Sequence, residues 1–161
     1  MFKRKKKLAI VIDTNMILRI GEIYGGDFVK KLKGAIFVPW AVLEELLNFK
    51  RIAIKERRIN AKRSSNRSKA VLNVWKYFKE QIEKANWRII GSDSKTFFKI
   101  NKKIGSSVGN ADVRIVACCK VLIQEKKFKE VVLLTKDKIL REKAADLGIK
   151  TKAGLSNLVK K

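Results

Sequence analysis

Acidic residues are scarce in this chain, so those that follow strand-like segments stand out. Asp13 comes directly after the apolar run Leu8–Ile12, and Asp137 lies three residues after the apolar run Val131–Leu134. Asp112 lies near the start of a helical pattern that precedes the second run. The chain has no His, so carboxylates that meet would form a hard-oxygen site, suited to Mg²⁺ or Mn²⁺ rather than zinc. A cation held there would activate water and stabilise the charge on a phosphate undergoing hydrolysis.

A fourth acid is offered by the neighbours Glu44 and Glu45, in a segment with helical periodicity over Trp40–Arg51. The apolar stripe of this segment consists of Val42, Leu43, Leu46 and Leu47. The two Glu residues flank that stripe on opposite sides at similar angles, so helical geometry does not decide which of them faces the other acids.

Asp112 and the other two Asp residues can also be interpreted as purely structural. Asp13 and Asp137 stand where helix N-caps stand, and Asp112 would favour a helix N-terminus through the helix dipole. For Asp112 the helical wheel speaks against a purely structural role, because the residue falls near the centre of its helix's apolar stripe and so faces inward. A carboxylate that faces inward is costly unless a cation or hydrogen bonds satisfy it.

The elements that must position these acids alternate between strand and helix. Short apolar runs predict buried strands at Leu8–Ile12, Ala35–Val38, Trp87–Ile90 and Val131–Leu134, with a short fifth strand at Ile149–Thr151. Helical patterns are predicted over Asp27–Leu32, Trp40–Arg51, the stripe from Val71 to Ile82, Ala111–Ile123 and Lys138–Leu147, the last closed by Gly148. The alternation predicts an α/β fold with a parallel sheet, in which ligands bind outside the carboxyl ends of the strands.

Charge sets the class of partner. The 161 residues include 39 Lys and Arg against 15 Asp and Glu, a net charge of +24, which favours nucleic acid. Two Cys and no His exclude a disulfide framework, His-based catalysis and His-ligated metal sites. No apolar run is long enough for a membrane span, and no signal peptide is evident. We expect one domain over residues 1–161 with a basic tail at 1–7, in an intracellular protein, nuclear or cytoplasmic and not secreted.

Two basic segments are candidates for contacting nucleic acid. The first could also be a solvated helix face, but its excess of positive charge favours nucleic acid. Lys50–Lys69 carries nine basic residues against one acid, and Ser92–Asn110 carries four Lys against one Asp. The residues selected as contacts are Arg57, Arg58, Lys62, Arg63, Lys102 and Lys103. Phe97 and Phe98 lie in the second segment and could stack on bases, although at least one of them is expected to pack into the core. The three Trp residues (Trp40, Trp75 and Trp87) are also expected in the core.

Four segments resemble the PIN domain, a metal-dependent nuclease fold. They are IVIDTNMIL, VPWAVLEEL, NADVRIVACC and VVLLTKDKILREKAADLGIKT, in family order along nearly the whole chain. The second and third segments are most similar to eukaryotic PIN domains of nuclear messenger-RNA surveillance endoribonucleases. The resemblance implies a three-layer α/β/α fold with a central, mostly parallel sheet of four to five strands and an acidic pocket at the strand ends.

The resemblance also implies roles for individual residues. The metal-binding and catalytic acids would be Asp13, Glu45, Asp112 and Asp137. Supporting polar residues would be Asn15, which helps to hold the first loop, Asn110, a supporting or capping residue, and Thr135, in the threonine-x-aspartate segment. Arg114 and Lys136 are further candidates for phosphate contacts. The chain departs from the family pattern at Val113, where relatives often carry a second Asp, and at Lys136, where they often carry Asn.

The resulting hypothesis is an endoribonuclease that uses Mg²⁺ or Mn²⁺ and cleaves single-stranded RNA by in-line attack of metal-activated water. The alternative is a PIN-fold RNA-binding module with weak or no turnover, which Val113 and Lys136 motivate. A nuclease acting on structured DNA and a toxin-type nuclease are further alternatives. The sequence does not decide whether the chain forms a homodimer or has a protein partner.

Overall fold

The computed structural model describes residues 6–24, 32–59, 66–84 and 86–155. In these ranges the chain forms five strands, which are β1 (Lys6–Ile12), β2 (Ala35–Pro39), β3 (Trp87–Ile90), β4 (Phe128–Leu134) and β5 (Lys150–Lys152). It also forms six helices, which are α1 (Thr14–Tyr24), α2 (Trp40–Ile59), α3 (Asn66–Glu83), α4 (Ser94–Ile104), α5 (Asn110–Gln124) and α6 (Lys138–Asp146).

All five strands are parallel and lie in one sheet in the order β3-β2-β1-β4-β5. The chain moves outward from β1 through β2 to β3 and then returns to place β4 on the other side of β1. The strand order therefore reverses between β1 and β4. At such a point the loops that follow the two strands diverge, which opens a ligand crevice beyond their carboxyl ends. The α/β architecture predicted from the alternating elements is confirmed.

The core lies on both faces of the two central strands. Residues 9–12 of β1 and residues 133–134 of β4 are completely buried, as expected for parallel strands covered by helices on both sides. Helix α5 packs on β1, β2 and β4, while α3 packs on α1 and α2. This packing fixes the carboxyl ends of β1 and β4 rigidly, and with them the loops that carry Asp13 and Asp137.

Several predicted boundaries move when the structure is compared with the sequence patterns. Helix α2 continues past Arg51 to Ile59, so the first half of the basic segment Lys50–Lys69 is helical; residues 60–65 of that segment lie outside the described residues. Helix α4 occupies the middle of the second basic segment. The helix predicted over Asp27–Leu32 falls almost entirely outside the described residues. Of this segment only Leu32 is described, and it is buried.

The predicted glycine stop of α6 is present. Gly148 has a φ of +76°. Its N–H bonds to the carbonyl of Ala145 at 2.9 Å, and the N–H of Ile149 bonds to that of Ala144 at 3.0 Å. This pair of bonds is the Schellman arrangement, which needs a left-handed residue after the helix. It turns the chain directly into β5.

The expectation that all three Trp residues lie in the core is wrong for Trp40. Trp87 is 1% exposed, but Trp40 is 50% exposed. The physical reason is its position, because Trp40 begins α2 immediately after the last residue of β2, at the carboxyl edge of the sheet. Its neighbour Gly91 leaves room there for the indole ring. Within the described residues, no helix is long and apolar enough to cross a membrane.

Candidate metal centre

Asp13 sits at the point where the strand order reverses. Its backbone N–H donates to the carbonyl of Leu134 at 3.1 Å, which ties the end of β1 to the end of β4. Its carboxylate accepts two hydrogen bonds of 2.7 Å, from the backbone N–H of Thr14 and from the hydroxyl of Thr135. Asp13 is only 8% exposed. These contacts hold one carboxylate in a fixed orientation at the mouth of the crevice.

Thr135 connects Asp13 to Asp137. The Thr135 side chain is completely buried, and its hydroxyl oxygen accepts a hydrogen bond from the backbone N–H of Asp137 at 3.1 Å. The carboxylate of Asp137 in turn accepts a bond from the N–H of Leu140 at 3.0 Å, as the N-cap of α6. The capping interpretation of Asp137 is therefore correct. It does not compete with metal binding, because a carboxylate has about four acceptor sites and this cap uses one of them.

The structure separates Glu45 from Glu44. Glu45 accepts a hydrogen bond of 2.6 Å from the Thr14 hydroxyl, so it faces the loop of Asp13. Glu44 turns the other way and binds the guanidinium of Arg114 through both carboxylate oxygens, at 2.6 and 3.1 Å. The question that helical geometry left open is thus decided by the two partners, and it is Glu45 that joins the other acids.

Asp112 completes the cluster from the first turn of α5. It is half-buried, and burial is the main reason why its pKa is raised. The charges of Asp13, Asp137 and Glu45 raise it further, while a backbone hydrogen bond with Gly109 opposes the shift. Because charges act this way only over short distances, the four carboxylates lie near one another beyond the carboxyl ends of the central strands. At such distances the carboxylates repel each other.

The pKa of Asp13 is raised as well, but for a different balance of causes. Burial raises it most, and the charge of Asp137 adds a smaller increase. The hydrogen bonds from Thr135 and Thr14 act against this shift because they stabilise the charged form. A divalent cation would remove the repulsion and favour the charged form of both Asp13 and Asp112.

The donor set fits a hard cation, although it does not form a closed cage. Within the part of the chain that the structure describes, no group of three or more acidic or Cys side chains is arranged to hold a metal ion. Mg²⁺ commonly keeps several waters and contacts only one or two carboxylates directly. Oxygen ligands around a partly open pocket suit that mode of binding. Asp13, Glu45, Asp112 and Asp137 are the residues that would hold the ion, some of them through water.

The polar residues expected to support the acids are placed unequally. Thr135 lies between two of the acids, whereas Asn15 is exposed in the first turn of α1. Asn110 does not cap α5, because the helix begins at that residue and Gly109 is its N-cap. The capping role expected for Asn110 is therefore wrong, and the residue is exposed. Thr14 was not selected from the sequence, although its position between Asp13 and Asn15 in the D-T-N segment could have drawn attention to it.

The two departures from the family pattern have different surroundings. Val113 is completely buried in the core, where its apolar side chain suits the inner face of α5. Lys136 is exposed and lines a small cleft together with Arg19 and Leu155. The charges that contribute most to the pKa shifts of Asp13 and Asp112 come from other acids.

The remaining basic candidates lie on helix ends. Arg57 and Arg58 are exposed in the last turn of α2, and Lys102 and Lys103 are exposed in the last turn of α4. Lys62 and Arg63 lie outside the described residues. Phe97 packs against the core, as expected for one of the two Phe residues, and Phe98 is 66% exposed. The exposed cations can contact an anionic polymer without disturbing the core.

Both Cys residues belong to the core. Cys118 and Cys119 are buried, and burial raises the pKa of the Cys118 thiol to about 12. The pKa of Cys119 is raised for the same reason. Thiols that stay protonated are poor nucleophiles and poor metal ligands, so these residues act in packing.

Comparisons with known proteins agree with this architecture. The family model described as "PIN domain" matches residues 10–154. A domain of a functionally unknown protein from Methanocaldococcus jannaschii DSM 2661 is similar in structure, with a TM-score of 0.51, 21% identity, and coverage of 89% of each chain. VapBC-1 from nontypeable Haemophilus influenzae is also similar, with a TM-score of 0.53, 14% identity, and coverage of 89% of this chain and 96% of that chain.

At these identities the structural likeness shows the fold alone. No curated protein matches the chain significantly. The family match, however, extends from β1 to the residues after β5 and includes the segments that carry all four acids. On that match the chain belongs to the PIN domain family, whose fold is generally that of a metal-dependent nuclease.

Proposed function

We propose that this PIN domain is an endoribonuclease that hydrolyses single-stranded RNA with the help of Mg²⁺ or Mn²⁺. The observation that carries the proposal is the cluster of Asp13, Glu45, Asp112 and Asp137, which come from four separate parts of the chain. When they are charged, carboxylates of this cluster repel one another. A protein gains nothing in stability from such repulsion. The cluster is therefore best explained by a cation that binds there during function.

The residues of the chain divide the work of the reaction. The four carboxylates would hold the cation, some of them through water, and Thr135 and Thr14 keep Asp13 and Glu45 oriented. When bound, a divalent cation lowers the pKa of water and stabilises the negative charge that develops on the phosphate. The products would carry 5′-phosphate and 3′-hydroxyl ends, as the resemblance to PIN nucleases implies.

The substrate class follows from charge. A net charge of +24 attracts a polyanion, and Arg57, Arg58, Lys102 and Lys103 are exposed cations that can hold a phosphate backbone. We favour RNA over DNA because two of the four segments, VPWAVLEEL and NADVRIVACC, resemble PIN domains of RNA-surveillance endoribonucleases. The same argument leads us to propose an intracellular location, nuclear or cytoplasmic.

The proposal is tested by incubating an end-labelled single-stranded RNA with the protein and Mn²⁺. We expect cleavage by the wild type, loss of cleavage on addition of a chelator, and loss in Asp112→Asn. Asp146→Asn is the matched control, since it makes the same chemical change at an exposed position at the end of α6. Equal cleavage by wild type and Asp112→Asn would mean that the activity comes from another site or a contaminant.

A second function, RNA binding without turnover, is supported by one specific observation. No set of three described acids is arranged as a metal site, so the cluster could fail to bind the ion firmly. Tight RNA binding by the wild type, with no metal-dependent cleavage in Mn²⁺ or Mg²⁺, would favour this alternative.

A protein partner is a further proposal for this chain. It is supported by the similarity to VapBC-1, whose name denotes two components.

A further inference from the structure

A small cleft with a volume of about 160 Å³ lies at the carboxyl end of the sheet, between α2 and α5. Its walls include Trp40, Glu44, Gly91, Ser92 and Arg114. Three elements contribute: the first turns of α2, the residues that follow β3, and the first turns of α5. Because α2 also carries Glu45 and α5 also carries Asp112, the cleft opens at the same end of the sheet as the four acids.

One wall of the cleft is aromatic. Trp40 is 50% exposed, whereas Trp87 is buried in the core. A side chain at position 91 could not be placed without crowding the indole, because a Cβ atom there would lie 3.1 Å from Cδ1 of Trp40. The glycine therefore lets the ring lie close to the backbone after β3. A Trp left half-exposed at such a place offers a ring surface for stacking.

Another part of the cleft wall is polar and held in place. Arg114 and Glu44 form two hydrogen bonds, at 2.6 and 3.1 Å, that join α5 to α2. Arg114 lowers the pKa of Glu44, so the carboxylate stays charged. Two bonds leave three further N–H groups on the guanidinium and additional acceptor sites on the carboxylate. The pair can therefore present both donors and acceptors to a ligand.

We propose that this cleft binds a single unpaired nucleobase of the RNA strand, next to the phosphate that is cleaved. The base would stack on Trp40 and direct its polar edge toward Arg114 and Glu44. This combination of an aromatic surface, a guanidinium and a hydrogen-bonding edge is the chemistry by which proteins hold splayed-out bases. The cleft is too small for a base pair. The inference rests on the proposed function, because it assigns a substrate subsite to that same active centre.

The test combines a protein variant with a change in the RNA. Binding of a short single-stranded RNA is measured in a metal-free buffer with chelator, so that the strand stays intact. A single abasic site is then moved along the strand. We expect Trp40→Ala to weaken binding of the intact RNA by about ten- to hundredfold, the usual effect of losing one stacked base. With the abasic site at one particular position, wild type and Trp40→Ala should bind equally. Trp40→Phe should retain most of the affinity.

Ile52→Ala is the matched control, because Ile52 is 52% exposed on the same helix but is not among the residues that line the cleft. It should leave affinity unchanged at every abasic position. A loss in Trp40→Ala that is the same at all abasic positions would overturn the subsite, as would a flat abasic profile for the wild type. Cleavage by the wild type in Mn²⁺ distinguishes the failures. If the wild type cleaves RNA while Trp40 shows no coupling, only the subsite is refuted; if it neither binds nor cleaves RNA, both proposals are refuted.

Discussion

Thr135 provides the sharpest test of how the acidic pocket is built. Its hydroxyl donates to Asp13 at 2.7 Å and accepts from the N–H of Asp137 at 3.1 Å, and the side chain is completely buried. Thr135→Val replaces the hydroxyl by a methyl group of similar size. The substitution therefore removes both hydrogen bonds while it creates almost no cavity.

The expected cost follows from the two bonds. A hydrogen bond to a charged group contributes about 1.5–3 kcal/mol, and a buried N–H left without a partner costs about 1–3 kcal/mol. Because effects at neighbouring groups do not simply add, we expect Thr135→Val to lower the free energy of unfolding by about 3 kcal/mol. For a domain of this size that corresponds to a fall in Tm of roughly 10 °C. The loss should shrink at acidic pH, where Asp13 becomes protonated and the bond is no longer charge-assisted.

The assay is urea unfolding in a metal-free buffer, followed by circular dichroism. Thr96→Val is the matched control, because the Thr96 hydroxyl also donates to an aspartate, Asp93, at 2.9 Å. Asp93 is exposed, so water can replace the lost bond and the cost should be smaller. Thr135→Ser keeps the hydroxyl and should recover much of the stability. If Thr135→Val costs no more than Thr96→Val, our account of the pocket is wrong.

Three further predictions concern the acids, a helix end and the basic surface. Burial and the other acids raise the pKa of Asp112, so its charged form destabilises the fold. Asp112→Asn should therefore raise the Tm of the metal-free protein at pH 7. This gain in Tm should disappear as the pH falls toward the ordinary Asp pKa, because Asp112 is then protonated. An equal gain at pH 4 would contradict this. Gly148→Ala should cost about 1 kcal/mol in urea unfolding because of the left-handed φ, whereas Gly154→Ala, also in open space but without a positive φ, should cost almost nothing. RNA affinity should fall steeply with salt, and reversing the charges of Arg57 and Arg58 should reduce both affinity and that salt dependence; an unchanged salt slope would show that these residues do not contact phosphate.

Much of the fold could be predicted because parallel strands leave a strong local signal. A strand buried on both faces is a short, continuous apolar run. Strand β3 matches the predicted run Trp87–Ile90 at both ends, and β1 begins two residues before the predicted run Leu8–Ile12. Helix ends were harder to place. The pattern predicted the end of α2 at Arg51, but the helix continues to Ile59. Beyond Arg51 the apolar residues no longer lie on one buried face, because Ala53 is buried while Ile52 and Ile59 are exposed.

The choice of metal-site acids shows where local reasoning ends. A helical wheel measures the direction of a side chain about its own helix axis, and Glu44 and Glu45 lie symmetrically about the stripe of α2. What separates them is contact with residues distant in the sequence, since Glu45 meets Thr14 and Glu44 meets Arg114, which is 70 positions away. The family resemblance selected the same residue from its motif, but periodicity could not.

The sequence by itself indicated the kind of chemistry, since a chain without His, with acids after its apolar runs and a net charge of +24, favours oxygen ligands and anionic partners. Only the tertiary structure decided how the acids are held and what surrounds them. The buried bridge through Thr135 and the exposure of Trp40 depend on where β1, β2 and β4 end relative to their neighbours. Residue types and their spacing are local properties of the chain, whereas the arrangement of hydrogen-bond partners and open space is fixed only when distant segments pack together.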